Sequence, residues 1–266
     1  MRSRREGEEL IDELGLERLK RNGKKPDGWL ERLLPLCIGT NRKERTMRIG
    51  IVGTGNIGAN LTRKLMRLGH RVSMANSRGP ASLAGLAKET GAQAVTVPEA
   101  VKNVDIVVVT IPEKNIPNLP RDLFAATLDS VVVVDTGNYY PRRRDGRIEA
   151  IEAGTTESRW VAQQLKRPVV KAFNNIHAQH LLELGQPKGT PGRIALPVAG
   201  DDAAAKAVVL RLVDELGFDG VDSGTLDESW RQQPDTPVYG TNFDAEGVRR
   251  ALSEASKERK PEWRAA

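Results

Sequence analysis

The sequence predicts an α/β fold: a doubly wound parallel sheet followed by a small C-terminal α/β domain. Two observations predict it. From Arg48 onward, short apolar runs alternate with amphipathic helical stretches, the order that a parallel sheet with helical crossovers requires. Two of the runs, Asp105–Thr110 (DIVVVT) and Val131–Asp135 (VVVVD), are apolar without alternation, as strands covered on both faces must be.

The opening unit runs from Met47 to Arg78. Ile49-Gly50-Ile51-Val52 reads as a strand and leads into Gly53-Thr54-Gly55-Asn56-Ile57-Gly58. A helical stripe of Ile57, Leu61, Leu65 and Leu68 follows, stopped by Gly69, and Arg71–Ala75 reads as the second strand. Strand, glycine turn, helix and strand at this spacing make the first β-α-β unit of a Rossmann-type, dinucleotide-binding fold. Gly53 permits the tight turn, the bare backbone at Gly55 lets a pyrophosphate approach, and Gly58 lets helix and strand pack closely. The helix N-terminus, with unpaired N–H groups and a positive dipole end, then receives the pyrophosphate.

The end of the second strand selects between nucleotides. An Asp or Glu there binds the free ribose 2′-hydroxyl of NAD. Between Arg71 and Pro80 this chain has no acidic residue; it ends the strand on Asn76-Ser77-Arg78. Ser77 can donate one hydrogen bond to a 2′-phosphate, and Arg78 a bidentate, charge-assisted pair. At about 1.5–3 kcal/mol for a hydrogen bond to a charged group, Arg78 favours NADP over NAD by about one to two orders of magnitude. NADP(H) is the expected cofactor.

The remaining elements follow in order. Ala81–Thr90 reads as a helix, Ala92–Val97 as the third strand and Pro98–Asn103 as a short helix. Pro117–Leu128 reads as loop plus helix. Thr155–Lys166 has a helical pattern, Pro168–Phe173 (PVVKAF) is a further strand, and His177–Leu184 is helical. Arg193–Gly200 reads as strand, Asp201–Leu216 as a helix capped by Asp201 and stopped by Gly217, and Phe218–Ser223 as a final strand. Asp244–Lys257 is a terminal helix. The expected division is an N-terminal extension over 1–46, an NADP-binding domain over 47–167 and an acceptor-side domain over 168–266. The extension is charge-dense, with one helical stripe of Leu10, Ile11, Leu14 and Leu19. It reads as a segment upstream of the domain's own start at Met47, partly disordered or loosely helical, or alternatively as a partner-binding helix.

Bulk properties narrow the function. The 266 residues carry a formal charge of +6, yet the Lys and Arg residues are dispersed and aromatics make up only 4%. A nucleic-acid binder gathers its cations on one face with aromatics between them, so no nucleic-acid partner is expected. Cys37 is the one cysteine, which excludes an internal disulfide and a cysteine-rich metal site. No run of eighteen apolar residues and no secretory signal occurs, so the expectation is a cytoplasmic protein without a membrane partner. The expected partners are a small-molecule acceptor and a second copy in a homodimer.

Ligands of open α/β sheets bind beyond the carboxyl ends of the strands. Besides the glycine turn, three such ends are suggestive: Thr110-Ile111-Pro112, Thr136-Gly137-Asn138 and Phe173-Asn174-Asn175. Thr110, Ile111 and Pro112 would line the cofactor. Asn138 and Asn174 would orient the nicotinamide amide or an acceptor, or serve as turn formers. His70 lies between a helix stop and a strand and reads as structural. His177 and His180 share a helix face, but nothing pairs with them as a third ligand, so no metal is expected. Asn175, His177 and Trp230 are the candidates for an acceptor pocket; Trp230 reads equally as its cap and as a loop anchor. No nucleophile elbow, phosphate-transfer loop or paired-carboxylate site stands out, and the catalytic residues stay unassigned. Hydride transfer between two bound rings needs little from the protein beyond position and exclusion of water.

The glycine turn, Ser77-Arg78, Thr110-Ile111-Pro112 and Val170-Lys171-Ala172-Phe173-Asn174-Asn175 together resemble the family of F-420-dependent NADP oxidoreductases, over about Arg48 to Gly240. Asp135-Thr136-Gly137-Asn138, a helix and then KAFN also resemble the NADPH-binding domain of six-transmembrane metalloreductases, whose membrane part this chain lacks. The resemblance implies hydride exchange between NADPH and C5 of the 5-deazaflavin coenzyme F-420; a flavin-like ring is the alternative second substrate. It implies that Thr54, Ser77 and Arg78 contact NADP, the last two at its 2′-phosphate. Residues 1–46 and the segment Glu228–Pro237 depart from the family. Two other readings compete. One is a reductase of another small acceptor, an imine or a ferric chelate; imine reduction would need a proton donor and a longer helical dimerisation domain. The other is a non-catalytic NADP(H)-sensing module with residues 1–46 as its partner arm.

Overall fold

The structure, a computed structural model, describes residues 46–266. The readings made on residues 1–45, Cys37 and the Leu10 stripe among them, lie outside the described residues. Six strands form one parallel sheet: β1 (Arg48–Val52), β2 (Arg71–Ala75), β3 (Gln93–Ala94), β4 (Ile106–Val109), β5 (Val132–Asp135) and β6 (Val170–Lys171). Their order is β3-β2-β1-β4-β5-β6, the doubly wound order with its switch point between β1 and β4. The chain reverses direction across the sheet there, leaving a crevice over the glycine turn.

Why the strands sit here follows from which faces are apolar. Ile49, Ile51, Ile106, Val108, Val132 and Val134 face one core cluster, while Val52, Val107, Val109 and Val133 face the other. The alternation of these unbroken apolar runs feeds two cores, so the middle strands are fully covered. At about 1.5–3 kcal/mol per buried aliphatic side chain, this double burial is what holds the sheet together. The crossover helix α1 (Asn56–Arg67) lays Leu61 and Leu65 on the first face, both fully buried.

Shorter helices complete the crossovers: α2 (Ala84–Thr90), α3 (Val97–Ala100), α4 (Glu149–Glu152) and α5 (Glu157–Leu165). Beyond β6, α6 (Ala178–Glu183) packs on α1, where Asn60 Nδ2 donates to Ala178 O at 2.7 Å. A separate two-stranded parallel sheet pairs β7 (Ala195–Val198) with β8 (Asp219–Asp222) across the helix α7 (Ala203–Glu215). Val209, Leu212, Val213 and Phe218 join the core that lies under α1. The helix α8 (Ala245–Ser253) covers the other face of the small sheet through Val248, Ala251 and Leu252.

Several expected elements differ. The third strand is two residues long, because Thr96 leaves it to form a capping box with Glu99 at the start of α3. No α-helix forms over Pro117–Leu128. A 3-10 helix over Glu113–Asn118 gives way to successive turns, with Leu123 N–H donating to Pro120 O and Ala125 N–H to Asp122 O. Pro117 and Pro120 withhold the donors that an α-helix there would use. The cap of α7 is Asp202, whose Oδ1 accepts from Ala204 N and Ala205 N; Asp201 instead accepts from Leu226 N and pairs with Arg159. Four short helices go beyond the elements the sequence predicts: a π-helix over Pro141–Asp145, α4, and 3-10 helices over Leu226–Gln232 and Pro261–Trp263.

Candidate functional site

The glycine turn has the shape its residue types require. Gly53 has φ +107°, and a Cβ there would lie 2.2 Å from Thr110 O; its N–H donates to Ala75 O at 2.8 Å. A Cβ on Gly58 would lie 2.0 Å from Gly53 O and 2.8 Å from Thr110 Cγ2. Gly55 is different. Nothing lies within 4 Å of where its Cβ would be, and it is the N-cap of α1, with no side-chain cap and no acid in the first turn. Gly53 and Gly58 are thus glycines for the protein's own packing, whereas Gly55 leaves exposed space in front of free helix N–H groups. That is the cradle a pyrophosphate fits. Asn56 is exposed and Ile57 half-buried beside it.

At the tip of β2, Asn76 organises the turn. Its Oδ1 accepts from Arg78 N at 2.9 Å, and its Nδ2 reaches Ser82 Oγ at 3.0 Å and Thr54 Oγ1 at 3.4 Å. The turn is thereby tied to the glycine loop. Ser77 and Arg78 stand exposed at its apex, and among the described residues the Arg78 guanidinium makes no hydrogen bond or ion pair. The edge next to Gly55 carries a free cation and no carboxylate.

The ends of β4, β5 and β6 converge on a buried charged cluster. Thr110, Ile111 and Pro112 leave β4 half-buried and lead to Glu113, which is fully buried. Asp135 ends β5. Its Oδ1 accepts from Gly137 N at 2.9 Å, and its Oδ2 from Ser158 Oγ at 2.6 Å. Lys171 ends β6 in register with it; Nζ lies 3.3 Å from Asp135 Oδ2, donates to Gly137 O and lies 3.9 Å from Glu157 Oε2. Arg259, from the C-terminal segment, places Nη2 3.7 Å from Glu157 Oε1. A Cβ on Gly137 would lie 2.3 Å from Glu113 Oε1, so the missing side chain there makes room for that carboxyl.

Desolvation governs how these groups titrate. Burial, with Asp135 alongside, pushes the Glu113 carboxyl well above the usual carboxylate range. Both its oxygens lack a hydrogen-bond partner, which suits a neutral acid better than a carboxylate. Glu157 is pushed up to about 7 by burial, against the pull of Lys171 and Arg259. For Lys171 burial acts downward, but Asp135, Glu157 and Glu113 outweigh it and hold the ammonium above its ordinary value. No paired-carboxylate site stands out in the sequence, whereas the fold gathers three carboxyls around one lysine. The available signal was a charged residue closing each of two apolar strands, VVVVD and PVVK.

The asparagines form a second layer. Phe173 takes φ +62°, turning the chain so that Asn174 faces back toward β5. Asn174 Nδ2 donates to Gln232 O at 2.6 Å and to Asn138 Oδ1 at 3.1 Å, while Gln232 Nε2 donates to Asn174 Oδ1 at 3.0 Å. Asn138 Nδ2 donates to Asn174 O at 2.9 Å. Asn174 therefore has no amide hydrogen left over, whereas Asn138 is half-buried and keeps one. Asn175 is buried with both side-chain polar atoms unpartnered among the described residues; its carbonyl accepts from Gly240 N at 2.8 Å.

His177 is exposed at the start of α6 and meets His180 edge-on at 5.2 Å. Among the described residues no group of three His, Cys, Asp or Glu side chains is placed to hold a metal ion. His70 is buried in the fold, its Nδ1 accepting from Met47 N and its Nε2 3.2 Å from Glu215. Trp230 does not join the asparagines. It lies beneath the Arg231 guanidinium and lines a cavity of about 60 Å³ with Thr155, Thr156, Gln233 and Arg259. No helix among the described residues is long and apolar enough to cross a membrane.

Residues 48–139 match the family described as NADP oxidoreductase, coenzyme F420-dependent. The matched segment carries the glycine turn, Ser77-Arg78 and Thr110-Ile111-Pro112. Over 92 residues the chain is 42% identical to the protein YjhV of Escherichia coli (strain K12), a match covering 35% of this chain and 60% of the relative. The chain thus spans about 60% of the length of the curated relative it matches. Among solved structures, the hypothetical protein SMa0349 from Sinorhizobium meliloti superposes with a TM-score of 0.63 at 29% identity, covering 76% of this chain and 97% of that one. A structure from Arthrobacter sp. FB24, described as a candidate F420-dependent NADP reductase, gives 0.56 at 22% identity, covering 67% and 85%. At that identity the likeness speaks for the fold alone. Six parallel strands flanked by helices make this a Rossmann-type α/β fold, in keeping with the superposition on these structures.

Proposed function

We propose that the chain is an NADP(H)-dependent oxidoreductase that exchanges hydride with a deazaflavin or flavin-like acceptor. The observation that carries the reading is the pairing of an open Gly55 cradle with an exposed, unengaged Arg78 at an acid-free strand end. Gly53 to Gly58 would hold the pyrophosphate, with Thr54 beside it, and Ser77 and Arg78 the 2′-phosphate. Thr110, Ile111 and Pro112 would line the path to the nicotinamide. Asn138 has the spare amide hydrogen to orient the nicotinamide amide, and Asn174 acts by holding Asn138 in place. Bound NADPH supplies the hydride; the fold supplies position and a dry, charge-balanced floor.

On the acceptor side, Asn175 and His177 lie at the end of β6, next to Gly240. They are the residues we assign to the acceptor, and the deazaflavin or flavin-like ring is the acceptor class that the family favours. An absorbance assay at the NADPH band tests both parts. It would compare coenzyme F-420, free flavin mononucleotide and ferric chelates as acceptors, with NADH as the alternative donor. Turnover with NADPH and either ring acceptor is the expected outcome. A chain that binds NADPH but turns over no acceptor would instead be a sensor.

A further inference from the structure

Tyr140 and Tyr239, 99 residues apart, meet hydroxyl to hydroxyl. Tyr140 lies two residues past Asn138. Tyr239 precedes Gly240, whose N–H donates to Asn175 O at 2.8 Å and where a Cβ would lie 3.5 Å from His177 Nε2. The pair therefore joins the loop that leaves β5 to the segment whose Gly240 holds the loop after β6, on the carboxyl edge of the sheet where ligands of such folds bind. Both tyrosines are half-buried.

Two hydroxyls carry two protons, and their mutual bond uses one. Among the described residues neither hydroxyl has a second hydrogen-bond partner. The Arg144 guanidinium lies 4.9 Å from the centre of the Tyr140 ring, with Trp263 at 6.1 Å on the same ring. Either hydroxyl can be the donor of the pair. With Tyr140 as donor, Tyr239 keeps its own proton unspent. Burial holds the Tyr239 hydroxyl above its usual range, so it stays protonated at neutral pH.

We propose that Tyr239 is the proton donor to the acceptor, with Tyr140 as the positioning residue that orients its hydroxyl. The proposal rests on the oxidoreductase reading and adds to it the group that completes the reduction. The ring acceptor takes a hydride at C5 of a deazaflavin or N5 of a flavin, and the displaced π pair is delocalised onto a heteroatom at the far end of the conjugated system. The Tyr239 O–H bond breaks and its proton bonds to that heteroatom. The phenolate left behind accepts the Tyr140 O–H bond until water returns a proton. Hydride and proton together account for the two electrons and two hydrogens gained.

Tyr239→Phe and Tyr140→Phe, made in the full chain, test the assignment with coenzyme F-420 and flavin mononucleotide as probes. A positioned general acid contributes about 10²–10⁴-fold, so Tyr239→Phe should lower kcat by at least about 10². Tyr140→Phe should lower it less and change the solvent deuterium isotope effect on kcat. Calorimetric NADPH affinity should stay within about twofold of wild type in both, since neither hydroxyl belongs to the nucleotide cradle. A Tyr239→Phe chain that keeps the wild-type kcat and isotope effect overturns the proton-donor role and leaves the oxidoreductase reading standing. A wild type that binds and reduces neither probe nor any other acceptor overturns both. Loss of NADPH affinity in Tyr239→Phe would make the pair structural and likewise overturn the proposal.

Discussion

Lys171 and Asp135 end neighbouring parallel strands in register, and their side chains meet as an ion pair at 3.3 Å with exposures of 0% and 1%. A pair so placed is not a surface ornament. Taking both charges out of water costs several kcal/mol each, so the arrangement holds only because Gly137, Ser158 and Glu157 complete the shell. It forms the floor beneath the Asn138–Asn174 layer and fixes where the loops after β5 and β6 begin.

Removing one partner leaves the other charge buried and uncompensated. Lys171→Met should destabilise the fold by about 3–5 kcal/mol. Adding Asp135→Asn to that variant should restore part of the loss, because the stranded carboxylate disappears with it. Urea denaturation of the two variants and the wild type measures this. Additive losses would mean that the two groups do not interact.

The same cluster should make stability depend on pH. The Glu157 carboxyl titrates at about 7 in the folded chain, raised from 4.5 by burial, so the folded state holds a proton that the unfolded state has released. A raised folded value contributes stability that is present below the unfolded value and lost as pH rises through the folded one. The window therefore runs from about pH 4.5 to about pH 7, and the loss across it is on the order of 3 kcal/mol. Glu157→Gln cannot titrate and should flatten the stability curve in that window. A wild-type curve that rises steadily from pH 5 to about pH 7 would contradict the assignment.

Arg78→Asp should weaken NADPH binding by about ten- to a hundredfold more than NADH binding, since it replaces a free cation with a charge that repels a 2′-phosphate. Calorimetric titration with both nucleotides decides it. Equal losses would remove Arg78 from the 2′-phosphate and return the cofactor preference to an open question.

The glycines of the turn should separate by what they serve. Gly58→Ala puts a Cβ 2.0 Å from Gly53 O, so it should cost stability by more than about 2 kcal/mol. Gly55→Ala meets no atom within 4 Å and should cost under about 1 kcal/mol, while weakening nucleotide binding by at least about tenfold. Thermal melts paired with NADPH titration read both effects. A Gly55→Ala chain with unchanged affinity would mean that the pyrophosphate lies elsewhere.

Much of this molecule was legible because its signals are local. The spacing of Gly53, Gly55 and Gly58, the stripe of Leu61 and Leu65, and the unbroken apolar runs of β4 and β5 depend on residues within a few positions of one another. The lack of an acid after β2 is likewise a short-range fact. Element ends were less legible, as Asp202 rather than Asp201 shows, because adjacent acids compete for one cap and a distant residue settles the contest; Arg159 and Leu226 engage Asp201.

What the sequence determined by itself was the sheet, its double covering and the acid-free edge that carries Arg78, since burial periodicity and the φ demands of a turn act within one segment. What only the tertiary structure decided was the meeting of Glu113, Asp135, Glu157 and Lys171, and of Tyr140 with Tyr239. Those residues lie on segments far apart in the chain. Their titration and hydrogen bonding are set by burial and by neighbours that no spacing along the sequence encodes.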